Sequence, residues 1–203
     1  RAEQALADSL NSHNVAWETL PGEGAFYGPK IEFSLRDCLG RVWQCGTGQL
    51  DFSMPERLGA HYIDEQGNKC IPAMIHRAVL GSFERFVAIV LEHYAGVLPL
   101  WLAPKQVAIL TISDGQAAYA TEIEQNLKKN GFKVNLDLRN EKIGYKIREH
   151  TIAKVPYLLI LGDRERDSGT VAVRDRNGET ATMSLSDCVE RLRNEVITKG
   201  EQH

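Results

Sequence analysis

The sequence predicts an α/β chain in two parts, a piece of antiparallel sheet with helices followed by a separate α/β domain. Three observations predict it. Lys30–Arg36 alternates Ile31, Phe33 and Leu35 with polar residues, the period of a strand, and a short turn returns the chain along Arg41–Phe52, which implies antiparallel pairing. Val107–Ser113 is a continuous apolar run, the kind buried on both faces of a parallel sheet. Between them Ala95–Pro104 holds two prolines, a glycine and Trp101, a stiff connector. We place the domain boundary near Leu98–Leu102, giving residues 1–99 and 100–203.

Each element follows from local pattern. Residues 1–13 carry Ala2, Ala5, Leu6 and Leu10 at helical spacing, and Val15–Leu20 reads as a strand before the turn Pro21–Gly24. After the hairpin, a polar stretch contains one short strand candidate, Ala60–Ile63, and Lys69–Ile75 looks like another buried strand. Gly81–Tyr94 is the clearest helix of this half, with Phe83, Phe86, Val87, Val90 and Leu91 along one stripe. Beyond Val107–Ser113, Asp114 is the candidate N-cap of a helix over Ala117–Lys129, closed by Asn130-Gly131. Lys133–Leu138 is a strand, Lys142–Ala153 a helix and Tyr157–Leu161 a strand. Gly169–Arg174 and Glu179–Met183 form an edge hairpin around Asn177-Gly178. Ser184–Lys199 is the last helix, capped by Ser184 or Ser186.

The 203 residues suffice for one large domain or two small ones, and 43% hydrophobic with 25% charged is an ordinary globular composition. It excludes a disordered tail, a collagen repeat and a disulfide miniprotein. No apolar stretch approaches the roughly 20 residues that span a bilayer. The four cysteines form no CxxC pair, so they read as reduced thiols. With 24 basic against 27 acidic residues, the net charge of −3 does not announce nucleic acid, yet phosphates feel a local basic face rather than a total. Residue 1 is Arg rather than Met, so we expect either a removed leader or a piece of something longer.

Several residues invite a functional reading. Gln44 and Thr47 break the apolar alternation of the Arg41–Phe52 strand, and Gly46 and Gly48 let a ligand approach the sheet. The alternative is an edge strand with a solvated face and a bulge. His76 ends an apolar run and is either a metal ligand or a packed histidine. Arg85, in the first turn after Gly81-Ser82, offers a planar fork for phosphate or stands as an exposed charge. In the second half Asn140, Glu141, Lys142, Lys146 and Arg148 follow a strand's carboxyl end, where open α/β sheets bind ligands. Arg164, Arg166 and Arg174 follow a later strand. Together they read as a basic patch or as a solvated helix face.

Four runs in order, Gly22–Phe33, Trp43–Phe52, Met74–Phe86 and Leu138–His150, closely resemble threonyl-tRNA synthetase, a class II aminoacyl-tRNA synthetase. The resemblance covers nearly the whole chain. It implies that residues 1–99 are the carboxy-terminal part of the class II catalytic domain, including its third motif, and that residues 100–203 are the anticodon-binding domain. It implies that Arg85 of the Gly-Ser-x-x-Arg motif contacts ATP, with Ser82 beside it. Gln44, Thr47 and Gln49 match the strand facing ATP and threonine, with Tyr27 and Lys30 on the preceding segment; Arg85, Gln44 and Lys30 are the catalytic candidates. His76 matches one of three protein ligands to a Zn2+ that holds threonine's amine and hydroxyl. Asn140, Arg148, Glu165 and Arg174 match the region that reads the threonine anticodon.

The implied activity is ATP-dependent attachment of threonine to its tRNA, with Mg2+ accompanying ATP, in a cytoplasmic homodimer with no membrane. The second reading is a stand-alone tRNA-binding module without ligase activity. The departures bear on both. The cysteine and second histidine of the zinc site have no matching context, the first and second class II motifs and the editing domain are absent, and Gly48 replaces a β-branched residue. We therefore expect this chain alone to bind tRNA weakly and to activate no threonine.

Overall fold

The computed structural model describes residues 2–200. The chain divides between His93 and Tyr94 into two compact units.

The first unit opens with helix α1, Ala2–Ser12. Strands β1 (Lys30–Arg36), β2 (Val42–Asp51) and β5 (Met74–Ala78) form an antiparallel sheet in the order β1-β2-β5. Between β2 and β5 lie a one-turn helix α2 (Met54–Arg57) and a small ribbon of β3 (Tyr62–Ile63) and β4 (Lys69–Cys70). Helix α3, Phe83–His93, closes the unit. Asp37 builds the β1–β2 turn: its carboxylate accepts from the backbone N–H groups of Leu39 and Arg41, from Arg41 Nε at 2.5 Å and from Trp43 Nε1 at 2.8 Å. Burial opposes the charge, but these donors hold the Asp37 carboxyl well below the usual carboxylate range.

Two expectations for this unit need correction. Val15–Leu20 forms no strand; it is irregular, exposed chain tied back to α1, with Val15 N donating to Leu10 O at 3.2 Å and Trp17 Nε1 to Asn11 Oδ1 at 2.9 Å. Lys69–Ile75 is not one buried strand. Pro72 lacks the N–H a ladder requires, so pairing stops at Cys70 and resumes at Met74. The apolar stripe of α3 is largely open in this unit: Phe83 is 76% exposed, and Val87 and Leu91 are also open to solvent.

The second unit is a five-stranded mixed sheet in the order β10-β9-β8-β6-β7. Its strands are β6 (Val107–Thr111), β7 (Val134–Asp137), β8 (Tyr157–Leu161), β9 (Thr170–Arg174) and β10 (Thr180–Ser184). The first three run parallel, and β9 and β10 add an antiparallel hairpin. Helices α4 (Ala117–Lys129), α5 (Ile143–Ile152), α6 (Asp163–Ser168) and α7 (Leu185–Ile197) complete it. Every residue of β6 is buried. The larger core joins Val107, Ile109, Leu159 and Val171 of the sheet to Ile123 and Leu127 of α4 and Leu192 of α7. A smaller cluster on the other face joins Ala108, Leu110 and Leu158 to Ile143 and Ile147 of α5.

Ser113, not Asp114, opens the α4 region. Asp114–Gln116 is a 3-10 turn in which Gln116 Oε1 accepts from Ser113 N at 2.7 Å. The sequence pattern predicts no helix between β8 and β9, yet DRERDS forms α6, held by Glu165, whose Oε2 accepts from Gly162 N at 2.9 Å. Ser184 caps α7 by accepting from Asp187 N.

Candidate functional site

In the first unit the register sorts the candidates by face. Lys30 pairs with Gln49, and Gln49 pairs with His76, so the three side chains form one row across the sheet. The next row is Glu32, Thr47 and Ala78. A 2.8 Å ion pair between Lys30 Nζ and Glu32 Oε2 runs along this face. Tyr27 reaches over the row from the preceding segment and donates its hydroxyl to Gln49 Oε1 at 3.0 Å; its ring lies 6.2 Å from that of His76.

Gln44 shares this face because of a bulge. Simple alternation would turn residue 44 away from Thr47 and Gln49. The register instead steps from Phe33↔Gly46 to Ser34↔Gln44, leaving Cys45 without a partner on β1. The extra residue inverts the phase of the strand, so Gln44 rejoins the polar face. The opposite face carries Ile31, Phe33, Leu50 and Ile75.

Arg85 stands apart from the row. Gly81 (φ +72) packs so tightly on the bulge that a Cβ there would sit 3.1 Å from Cys45 O. Ser82 caps α3, its Oγ accepting from Arg85 N at 3.2 Å. The Arg85 guanidinium lies 3.5 Å from Gln44 O and 5.7 Å from the Trp43 ring centroid, and its side chain is exposed.

The residue that sequence reasoning missed is Asp51. Its Oδ1 accepts from the backbone N–H groups of Ser53 and Met54, each at 2.9 Å, and its Oδ2 lies 3.0 Å from His76 Nε2. The Met54 N–H is the chief cause that holds the Asp51 carboxyl below its ordinary value, against burial. An ionised carboxylate only accepts, so the Nε2–H donates to it and Nδ1 is the ring nitrogen left over for another partner. Alternation with Gln49 was the signal available. Among the described residues no group of three or more His, Cys, Asp or Glu side chains is arranged to hold a metal ion.

In the second unit the carboxyl ends of the parallel strands carry a network around Asp137. Its carboxylate accepts from Arg139 Nε at 2.9 Å and Nη2 at 2.6 Å, and lies 3.0 Å from His150 Nε2. Arg139 also reaches Glu149 at 2.7 Å. Arg139 beside it is the main reason the Asp137 carboxyl stays far below the usual range despite burial. Asn140 sits exposed in the turn between β7 and α5, and Arg148 is exposed on α5. Glu165 lies beyond β8, committed in part to its cap on Gly162.

Two members of the proposed basic patch lie elsewhere. Lys146 is not on a solvated face; it is 1% exposed, because α5 turns that position onto the sheet. Arg174 pairs with Leu158 near the amino end of β8, whereas Glu165 follows the carboxyl end of that strand at Leu161, roughly 10 Å further along it. Arg174 donates to Gly178 O at 2.8 Å and braces the β9–β10 turn. Arg166 pairs with Asp163 and Asp167.

Comparison with known proteins covers both units. Residues 3–94 match the family model of the tRNA synthetase class II core domain (G, H, P, S and T), and residues 106–195 match that of the anticodon binding domain. The chain is 60% identical over 201 residues to a threonine–tRNA ligase of Herminiimonas arsenicoxydans, covering 98% of this chain and 32% of that protein. It is 61% identical over 203 residues to the Coxiella burnetii counterpart, covering 31% of it. The chain thus spans about a third of the length of these curated relatives. Among solved structures, the RNA binding domain of threonyl-tRNA synthetase from Cryptosporidium parvum Iowa II superposes with a TM-score of 0.86 at 40% identity, over 95% of this chain and 49% of that one. A prolyl-tRNA synthetase from Cryptosporidium parvum, at 24% identity and TM-score 0.65, shares the fold.

Proposed function

Since the chain belongs to the threonyl-tRNA synthetase family and carries its class II core and anticodon-binding domains, we propose that it serves ATP-dependent attachment of threonine to its tRNA. The observation that carries this reading in the first unit is the gathering of Lys30, Gln44, Thr47 and Gln49 with His76 on one polar sheet face, with Tyr27 docked on Gln49. Such a face suits an adenylate-forming reaction. Amides and a hydroxyl offer hydrogen bonds to the base, ribose and amino acid, and Lys30 and Arg85 offset phosphate charge as the threonine carboxylate attacks the α-phosphate. Ser82 sits beside Arg85 as the helix cap.

In this reading ATP arrives with Mg2+, and His76, oriented by Asp51, gives one nitrogen to a Zn2+ whose other ligands are not among the described residues. Bound zinc would recognise the hydroxyl that separates threonine from valine. Family membership supports these roles, along with a homodimer and a cytoplasmic setting. No helix among the described residues is long and apolar enough to cross a membrane. Residues 100–203 read the anticodon through Asn140, Arg148, Glu165 and Arg174, while residues 1–99 serve the catalytic centre.

The test uses the 203-residue chain. A threonine anticodon stem-loop should bind, and a stem-loop with a changed anticodon should bind at least tenfold more weakly, within the usual cost of a lost base contact. Equal binding of both overturns the anticodon reading. Threonine-dependent pyrophosphate exchange should be absent from this chain alone; measurable exchange would mean that its residues suffice for activation. The stand-alone binding module has no finding on its side.

A further inference from the structure

Lys146 has the largest of the fully buried side chains in the described structure, and the functional reading above does not use it. Its surroundings define a specific place. Strands β6 and β7 pair in parallel from Val107↔Val134 to Leu110↔Asp137, and then the ladder ends. Past that point β6 continues through Thr111 toward the Ser113–Gln116 turn, while β7 runs into the turn of residues 138–142. Lys146 Nζ enters from α5 at the fork. It donates to Thr111 O at 2.9 Å and to Asp137 O at 3.3 Å, and lies 3.4 Å from Thr111 Oγ1. None of these partners is a carboxylate. Lys146 thus satisfies strand-end carbonyls past the end of the β6–β7 ladder, sharing Asp137 O with Thr111 Oγ1 at 3.5 Å, at a depth where an unpaired carbonyl is costly.

The turn leaving this fork carries Asn140. It is held from two sides, by Lys146 on the Asp137 carbonyl and by Arg139 and His150 on the Asp137 carboxylate. We propose that Lys146 is a positioning residue for RNA binding: it pins the β6–β7 fork so that Asn140 is presented in a fixed geometry to the anticodon loop. This rests on the anticodon reading above. Lys146 is buried and touches no RNA; its effect passes through the turn.

The experiment compares the 203-residue chain with Lys146→Met, Asn140→Ala and the double variant. It measures binding of a synthetic threonine anticodon stem-loop and amide hydrogen exchange over residues 138–142, at a temperature where all four proteins are folded. Lys146→Met should weaken binding about tenfold, the loss of one base contact, and speed exchange in the turn. Asn140→Ala should weaken wild-type binding and change little in the Lys146→Met background. Additive losses, or unchanged turn exchange, overturn the proposal, because a merely structural lysine leaves the Asn140 contact intact. If Lys146→Met does not fold, Lys146→Gln, a shorter uncharged side chain that keeps amide N–H donors, replaces it, and its loss of binding should then track its rise in turn exchange; weaker binding with turn exchange at the wild-type rate overturns the proposal. If the wild-type chain binds no stem-loop, the anticodon reading fails and the presentation of Asn140 to RNA falls with it; turn exchange then reports separately whether Lys146 pins the fork.

Discussion

Asp137 and Arg174 show how single residues carry different loads. The Asp137 carboxyl is depressed mainly by Arg139, so it contributes stability that is fully present above the unfolded carboxyl value of about 3.9 and is lost as pH falls toward the folded value. Asp137→Asn should therefore destabilise the second unit at neutral pH. The gap between variant and wild type, read from urea unfolding, should close progressively below about pH 4; a gap independent of pH would show that the charge is not what stabilises. Arg174 is the opposite case, half-buried, with its guanidinium on Gly178 O. Arg174→Ala should weaken stem-loop binding by about 1–3 kcal/mol, with melting temperature followed as the control for the β9–β10 turn. An unchanged affinity removes Arg174 from the recognition set.

At the scale of elements, the close approach of backbones decides what each segment tolerates. A Cβ on Gly28 would lie 2.0 Å from Leu50 O, a backbone atom that cannot swing aside. Gly28→Ala should push the segment bearing Tyr27 off β2 and cost about 3 kcal/mol, seen as a lower urea midpoint and loss of Tyr27 from Gln49; a midpoint equal to wild type contradicts the packing. The same scale explains what the sequence discloses. The second unit was readable because its strands and helices differ in period: Val107–Ser113 is continuously apolar, and Ala117–Lys129 is striped. Helix α6 escaped notice because DRERDS has no apolar period; Gly162 followed three residues later by Glu165 was its only signal. Lys146 misled because its i,i+4 spacing from Lys142 describes a surface pair equally well, and nothing local announces a fork in a distant ladder. Asp51 and the bulge at Cys45 are likewise products of pairing between strands, not of any one strand.

For the whole molecule, the two units are built differently. The second owns a core in which strand β6 is fully buried and Leu159 of the neighbouring β8 is buried with it, so Leu159→Ala should cost about 2–5 kcal/mol and lower the melting temperature of that unit. A loss below about 1 kcal/mol would mean that the site is not packed as described. The first unit leaves Phe83, Ile75, Val79 and Phe33 largely exposed. The net charge of −3 averages over both units. If the second unit binds RNA through Arg148 and Arg174, its affinity should fall steeply with salt, by roughly one power of concentration per phosphate contact neutralised. Affinity that is flat between low and moderate salt would exclude phosphate contacts.

The unpaired Cys45 also sets a phase boundary for chemical mapping of β2. A scan of single-cysteine probes in a background with Cys38, Cys45, Cys70 and Cys188 all replaced by Ser would find even-numbered positions before the bulge and odd-numbered positions after it reporting the same surface: Gln44 would respond to a ligand together with Thr47 and Gln49, while Gly46 and Gly48 would stay silent. A one-residue deletion between 44 and 47 would not shorten the strand so much as rewrite which half of it faces the ligand.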